Sequence, residues 1–357
     1  MAMNIPAIFG FIGLLVGCRA DKLVSLAISQ DRARPGLLTS ERLFARLNVD
    51  NEDVKVVIDT RSPCTILIWK MWYETKMKGD CDKLIFKCYE CNPASCKEGP
   101  VWTVPAFDGK PMFVFEHSGT FAFGNLTAAG IEFALTESCR CRPQASLGLS
   151  PPLMHLAPFR PLVYQLLAQP RSERLIESSA FSLHLKAGEN PTGELILGGE
   201  DQSKFKGGLK FVIIVHKEDQ SIIISGYNVG DTSQDPIMLS VTSHLNMVDS
   251  FLQLPIDRKK EIIGLLTTQG KKPLAIAEQY GFLRISCGTF LLKGSELETV
   301  PLKIQPASYT IRLSTKMCIL RIEFRDDGTW SLGLPALIGF YHLYDWDRSR
   351  IGSAEVK

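Results

Sequence analysis

One stretch constrains the fold of this chain more than any other. In Val56-Val57-Ile58-Asp59-Thr60-Arg61-Ser62 an apolar β-branched run stops at one carboxylate and one hydroxyl, then resumes as Thr65-Ile66-Leu67-Ile68-Trp69. This pattern predicts strand, tight turn, strand, with Asp59 displayed on the turn. Leu245-Asn246-Met247-Val248-Asp249-Ser250-Phe251-Leu252-Gln253-Leu254-Pro255 has the same order in the other half: apolar strand, Asp249 followed by a hydroxyl residue, apolar strand. One acid in each half predicts two lobes facing each other across a cleft. Either aspartate alone reads as an ordinary turn residue; the duplicated context gives the pair a joint role.

A second element also recurs. Ala145-Ser146-Leu147-Gly148-Leu149 follows the first acid at a distance, and Trp330-Ser331-Leu332-Gly333-Leu334 follows the second. Between the halves lie Phe181-Ser182-Leu183-His184-Leu185 and Gly193-Glu194-Leu195-Ile196-Leu197-Gly198-Gly199, both strand-like. Helical spacing is confined to short segments, Pro161 to Gln169 and Asp257 to Leu266, the latter opening on a capping Asp and carrying Ile262, Ile263, Leu265 and Leu266. Many short strands with turn signals and few helices predict an all-β, two-lobed architecture.

With the closing pattern Phe340-Tyr341-His342-Leu343-Tyr344-Asp345 to Arg350-Ile351-Gly352-Ser353-Ala354, the chain from about Phe44 to Ala354 resembles the pepsin-like aspartic peptidases. In that family each lobe carries Asp-Thr/Ser-Gly-Thr/Ser between such strands. The resemblance implies an all-β, bilobal pepsin-like fold with a few short helices. It implies an N-terminal lobe over 43–186, a C-terminal lobe over 187–357, and Asp59 and Asp249 at the positions of the catalytic dyad. It implies a Cys287–Cys318 disulfide in the second lobe and no cofactor. It also places Ala106, Phe107, Asp108 and Gly109 at the tip of a substrate-binding flap, within Trp102-Thr103-Val104-Pro105-Ala106-Phe107-Asp108-Gly109-Lys110. Read from its residues alone, that passage is a surface hairpin with Asp-Gly at its tip.

Against the family pattern four departures stand out. Arg61 occupies the place of the first motif's Gly, and the second motif lacks the Gly-Thr-Ser expected between Ser250 and Phe251. Ala106 stands where the flap has Tyr, and Leu334 where the family commonly has Asp. The chemistry needs two carboxylates sharing a proton, one activating a water and the other donating to the scissile carbonyl. A guanidinium beside them stabilises the charged forms and opposes that sharing. A shortened turn misplaces Asp249, and about 1 Å of misplacement already costs roughly 100-fold. The expectation is an impaired or absent endopeptidase activity, with the cleft retained for an extended peptide or protein. Two alternatives remain open: an active endopeptidase, if three residues belong between Ser250 and Phe251, and a non-enzymatic interaction protein using the cysteine-rich segment.

Composition narrows the setting. Forty basic residues against 38 acidic give a net charge of +2, with no long-range pull toward nucleic acid or anionic membrane. Ile5 to Gly17 is almost wholly apolar and is followed by Cys18-Arg19-Ala20, which predicts a signal peptide over 1–20 and a secreted protein; an N-terminal anchor is the alternative, since no basic residue precedes the apolar run. No later apolar run reaches the roughly 20 residues of a membrane span. Residues 21–42 read as a leader or poorly ordered arm.

Ten cysteines fit an oxidising compartment. Cys81, Cys88, Cys91 and Cys96 could be read as a zinc site, but their spacing matches no standard finger. Disulfides are expected there, with Cys64, Cys139 and Cys141 as further candidates, and no metal. Asn125-Leu126-Thr127 is a glycosylation sequon at a predicted exposed turn. A monomer is expected.

Overall fold

Alternation of apolar and polar residues builds most of this molecule, because a strand with one buried face places every second side chain in the core. In β1 (Val24–Asp31) Val24, Leu26 and Ile28 point inward while Ser25 and Ala27 face solvent. The computed structural model describes residues 22–31, 42–91, 96, 99–152, 158–188, 191–217, 220–228, 237–268, 277–279, 282–286, 296–297, 302, 304–314 and 317–357. Residues 1–20 and Cys287, expected to be a signal peptide and half of a disulfide, lie outside them.

The first half forms β2 (Arg42–Val49), β3 (Glu52–Asp59), β4 (Ile66–Leu67), β5 (Val101–Pro105), β6 (Pro111–Phe123), β7 (Leu126–Cys139) and β8 (Ser146–Gly148). These strands join a 13-stranded sheet that also holds β1, β9 (Phe181–Leu185), β10 (Thr192–Leu197), β11 (Lys210–Ile213) and the closing strands Phe340–Asp345 and Arg350–Glu355. The second half has its own six-stranded sheet, which includes β12 (Ser221–Asn228), β13 (Ile237–Leu245), β14 (Leu252–Pro255) and the short strand Ser331–Leu332. Helices are short: α1 (Lys70–Thr75), α2 (Leu162–Ala168) and α3 (Lys259–Thr268) are the longest among the described residues. The all-β, bilobal expectation describes this architecture.

Residues 24–31, expected within a leader or arm, are a strand paired antiparallel with β10 on one side and β2 on the other, so the stretch is structural. The division at 186/187 falls inside the β9–β10 hairpin, whose strands pair Leu185 with Gly193. That hairpin, β1 and the closing strands form a base that belongs to both lobes. Tyr344 Oη donates to Leu245 O at 3.0 Å and Trp346 Nε1 donates to Leu149 O at 3.0 Å, so an aromatic on a closing strand and another in the turn just after it hold the backbone of each lobe. Phe181 stacks on Tyr344 at 4.8 Å between ring centroids.

The cysteine-rich segment closes as Cys81–Cys88 and Cys91–Cys96, and Cys139 pairs with Cys141. Cys64, a disulfide candidate, is a buried free thiol. Cys318 is disulfide-bonded.

Candidate active site

Each lobe threads a strand past a short parallel partner before its turn. In the first, β3 runs parallel to β8 with Val57 beside Ser146, Ile58 beside Leu147 and Asp59 beside Gly148. In the second, β13 runs parallel to Ser331–Leu332 with His244 beside Ser331 and Leu245 beside Leu332. The backbone contacts agree: Val57 N donates to Ala145 O at 3.0 Å, and His244 N to Trp330 O at 3.3 Å. Since Ser146-Leu147-Gly148 and Ser331-Leu332-Gly333 are the repeated passages, the register continues to Asn246 beside Gly333. The residue in the second lobe that occupies the place of Asp59 is therefore Asn246.

The expectation that Asp249 holds that place is corrected by this register. No gap is needed, because Leu245-Asn246-Met247-Val248 follows Ile58-Asp59-Thr60-Arg61 residue for residue. The side-chain contacts repeat as well. Arg61 N donates to Asp59 Oδ1 at 2.8 Å, and Val248 N donates to Asn246 Oδ1 at 3.1 Å. A carboxamide oxygen accepts there as a carboxylate oxygen would, so these side-chain bonds persist without the acid, while the backbone bond of Leu149 N to Asp59 O is matched by one from Leu334 N to Asp249 O.

Asp249 lies three residues further on and is held by the residue that displaced it. Asn246 Nδ2 donates to Asp249 Oδ2 at 2.8 Å and to Ser331 Oγ at 2.8 Å, and Ser331 Oγ donates to the same Oδ2 at 2.8 Å. Asp249 N returns a bond to Asn246 Oδ1 at 2.8 Å. The remaining oxygen, Oδ1, faces Arg61 Nη1 at 3.7 Å, with the arginine side chain 45% exposed. The two turns meet through Met247 N, which donates to Thr60 Oγ1 at 3.2 Å.

Glycine is required behind both turns by close backbone approach. A Cβ on Gly148 would lie 2.5 Å from Pro63 C, and one on Gly333 would lie 2.3 Å from Asp249 O.

Asp59 is buried, which pushes its carboxyl above the ordinary range; the Arg61 guanidinium and N–H, Arg42 and the Ser62 N–H oppose that rise. Below the turn, burial and the charge of Asp59 hold the Cys64 thiol well above its usual value, so it stays protonated.

Over the site stands the hairpin β5–β6. Ala106 N donates to Lys110 O and Gly109 N to Ala106 O, both at 2.9 Å, and Gly109 takes φ +75°, so Ala106, Phe107, Asp108 and Gly109 form the tip. Phe107 lies under the Arg42 guanidinium at 4.0 Å. Arg42, at the start of β2, faces both Asp59 and Asp249 electrostatically; no local pattern in the sequence marks it. Asn125 is exposed in the turn between β6 and β7. Cys91, Cys96 and His117 converge within 4.8 Å, but the two sulfurs are joined as a disulfide and offer no thiolate to a metal.

A duplicated β scaffold with a buried carboxylate turn below a hairpin is the architecture of an aspartic peptidase. The chain belongs to the eukaryotic aspartyl protease family, whose model matches residues 48–356. It is similar to cathepsin D of Homo sapiens, 23% identical over 236 residues covering 59% of this chain and 51% of that protein. It is 28% identical to cathepsin D of Rattus norvegicus over 222 residues, covering 59% and 52%. With the aspartic proteinase sxa1 of Schizosaccharomyces pombe it shares 26% identity over 211 residues, covering 52% and 37%. The chain thus matches about half or less of the length of these curated relatives.

Proposed function

We propose that this protein is a secretory-pathway homologue of the aspartic peptidases that binds extended peptide in its cleft and has little or no endopeptidase activity. The carrying observation is the Asn246 carboxamide in the place that mirrors Asp59. A shared-proton pair needs two groups that each exist as acid and as base near the working pH, and a carboxamide does neither. Asp249 does not substitute readily: one oxygen is committed to Asn246 and Ser331, and the other faces the Arg61 guanidinium at 3.7 Å. Ala106 leaves the hairpin tip without a phenolic hydroxyl.

The hairpin and the turn bridge from Met247 to Thr60 support the peptide-binding reading. The apolar N-terminal run and the disulfides support passage through an oxidising compartment. Within this proposal the protein acts as a monomer, Asn125 is open to glycosylation, and the cysteine-rich segment is a structural brace.

The test is cleavage of an acid-unfolded protein substrate across the acid range. No cleavage is expected from wild type or Asp59→Ala. Cleavage by wild type that a transition-state peptide inhibitor blocks, and that Asp59→Ala abolishes, overturns the proposal.

A further inference from the structure

Two guanidinium groups lie at the site, and one of them has a buried N–H with no acceptor among the described residues. Arg42 is half-buried, its Nε is enclosed without a hydrogen-bond partner, and its face is covered by Phe107 at 4.0 Å. Among the described residues Arg61, itself 45% exposed, makes one ion pair, 3.7 Å from Asp249 Oδ1. An arginine presents five N–H donors, and a buried donor without an acceptor is costly.

The acids nearby are largely spent on neutral donors. Asp249 Oδ2 takes Asn246 Nδ2 and Ser331 Oγ, and Asp59 Oδ1 takes the Arg61 N–H. Asp108, the third acid acting on Arg42, pairs with Lys110 at 3.4 Å. Burial and the neighbouring Arg61 charge push the Arg42 guanidinium down to about 10, against the opposing charges of Asp59, Asp249 and Asp108.

We propose that the cleft recognises peptides through a carboxylate side chain, Glu or Asp, seated between Arg42 and Arg61 beneath the hairpin tip. A carboxylate offers two oxygens in the plane of a guanidinium fork, in a partly dehydrated place where charge-assisted bonds are strongest. The specificity rests on the peptide-binding role proposed above.

The experiment is fluorescence anisotropy with two labelled decapeptide pools, randomised except for a fixed central Glu in one and Gln in the other. The Glu pool is expected to bind about tenfold more tightly. That advantage should fall to about twofold or less in Arg42→Gln and survive in part in Arg42→Lys. Should Arg42→Gln not fold, the more exposed Arg61→Gln serves in its place. Equal binding of both pools to wild type overturns the anionic preference and leaves the peptide cleft standing. Absence of binding by either pool overturns both.

Discussion

Replacing Asn246 by Ala separates a structural role from mere occupancy of a turn. The side chain is 5% exposed and makes four contacts: Nδ2 to Asp249 Oδ2 and to Ser331 Oγ, and Oδ1 from Val248 N and Asp249 N. Losing a hydrogen bond to a charged acceptor costs about 2 kcal/mol, and leaving two backbone N–H groups without an acceptor adds about 1 kcal/mol each. Water entering the vacated space recovers part of this, so a loss of about 2–4 kcal/mol is expected.

Urea unfolding followed by tryptophan fluorescence measures it, since Trp330 lies next to the site. Asn246→Asp sharpens the test. Its carboxylate still accepts both N–H bonds but faces Asp249 across the present 2.8 Å contact. That variant should be weakened at neutral pH and recover on acidification, when the pair can share a proton. An Asn246→Ala loss below about 1 kcal/mol, or an Asn246→Asp protein as stable as wild type at neutral pH, refutes the reasoning.

Two further outcomes follow from the same geometry. Burial raises the Asp59 carboxyl, so its contribution to stability is complete below the ordinary carboxylate value of 3.8 and is lost as pH rises through the folded-state value. Asp59→Asn removes that loss: its Tm relative to wild type should climb between about pH 3 and pH 7, and a flat or falling difference in calorimetry contradicts it. Gly333→Ala drives a Cβ against Asp249 O and Phe251 O at 2.3 and 2.5 Å and should cost about 1–3 kcal/mol, read as a Tm several degrees lower; an unchanged Tm would show that the backbone there yields freely.

Several features were open to reading from the chain because they are local. Asp59 ends an apolar strand, the repeated Ser-Leu-Gly passages bind the two halves together, and Asp108-Gly109 marks a hairpin tip. The strand at 24–31 was equally visible in the alternation of Val24, Leu26 and Ile28, but the charges and Pro35 that follow it suggested an arm. Asn246 carries no such local mark, because Asp249-Ser250 imitates the acid-hydroxyl pair three residues further on.

Sequence alone determined the strand-rich, duplicated scaffold, since alternation and turn residues act between near neighbours and need no knowledge of what they pack against. It also marked one carboxylate on a turn and an arginine beside it. Only the tertiary structure decided which residue stands opposite that carboxylate, because a parallel register is fixed by strands 85 to 90 residues apart in the chain. It alone brought Arg42 against the ring of Phe107, a contact between β2 and the hairpin tip that no local pattern encodes. The scaffold follows from short-range periodicity, whereas the chemistry at its centre depends on long-range pairing.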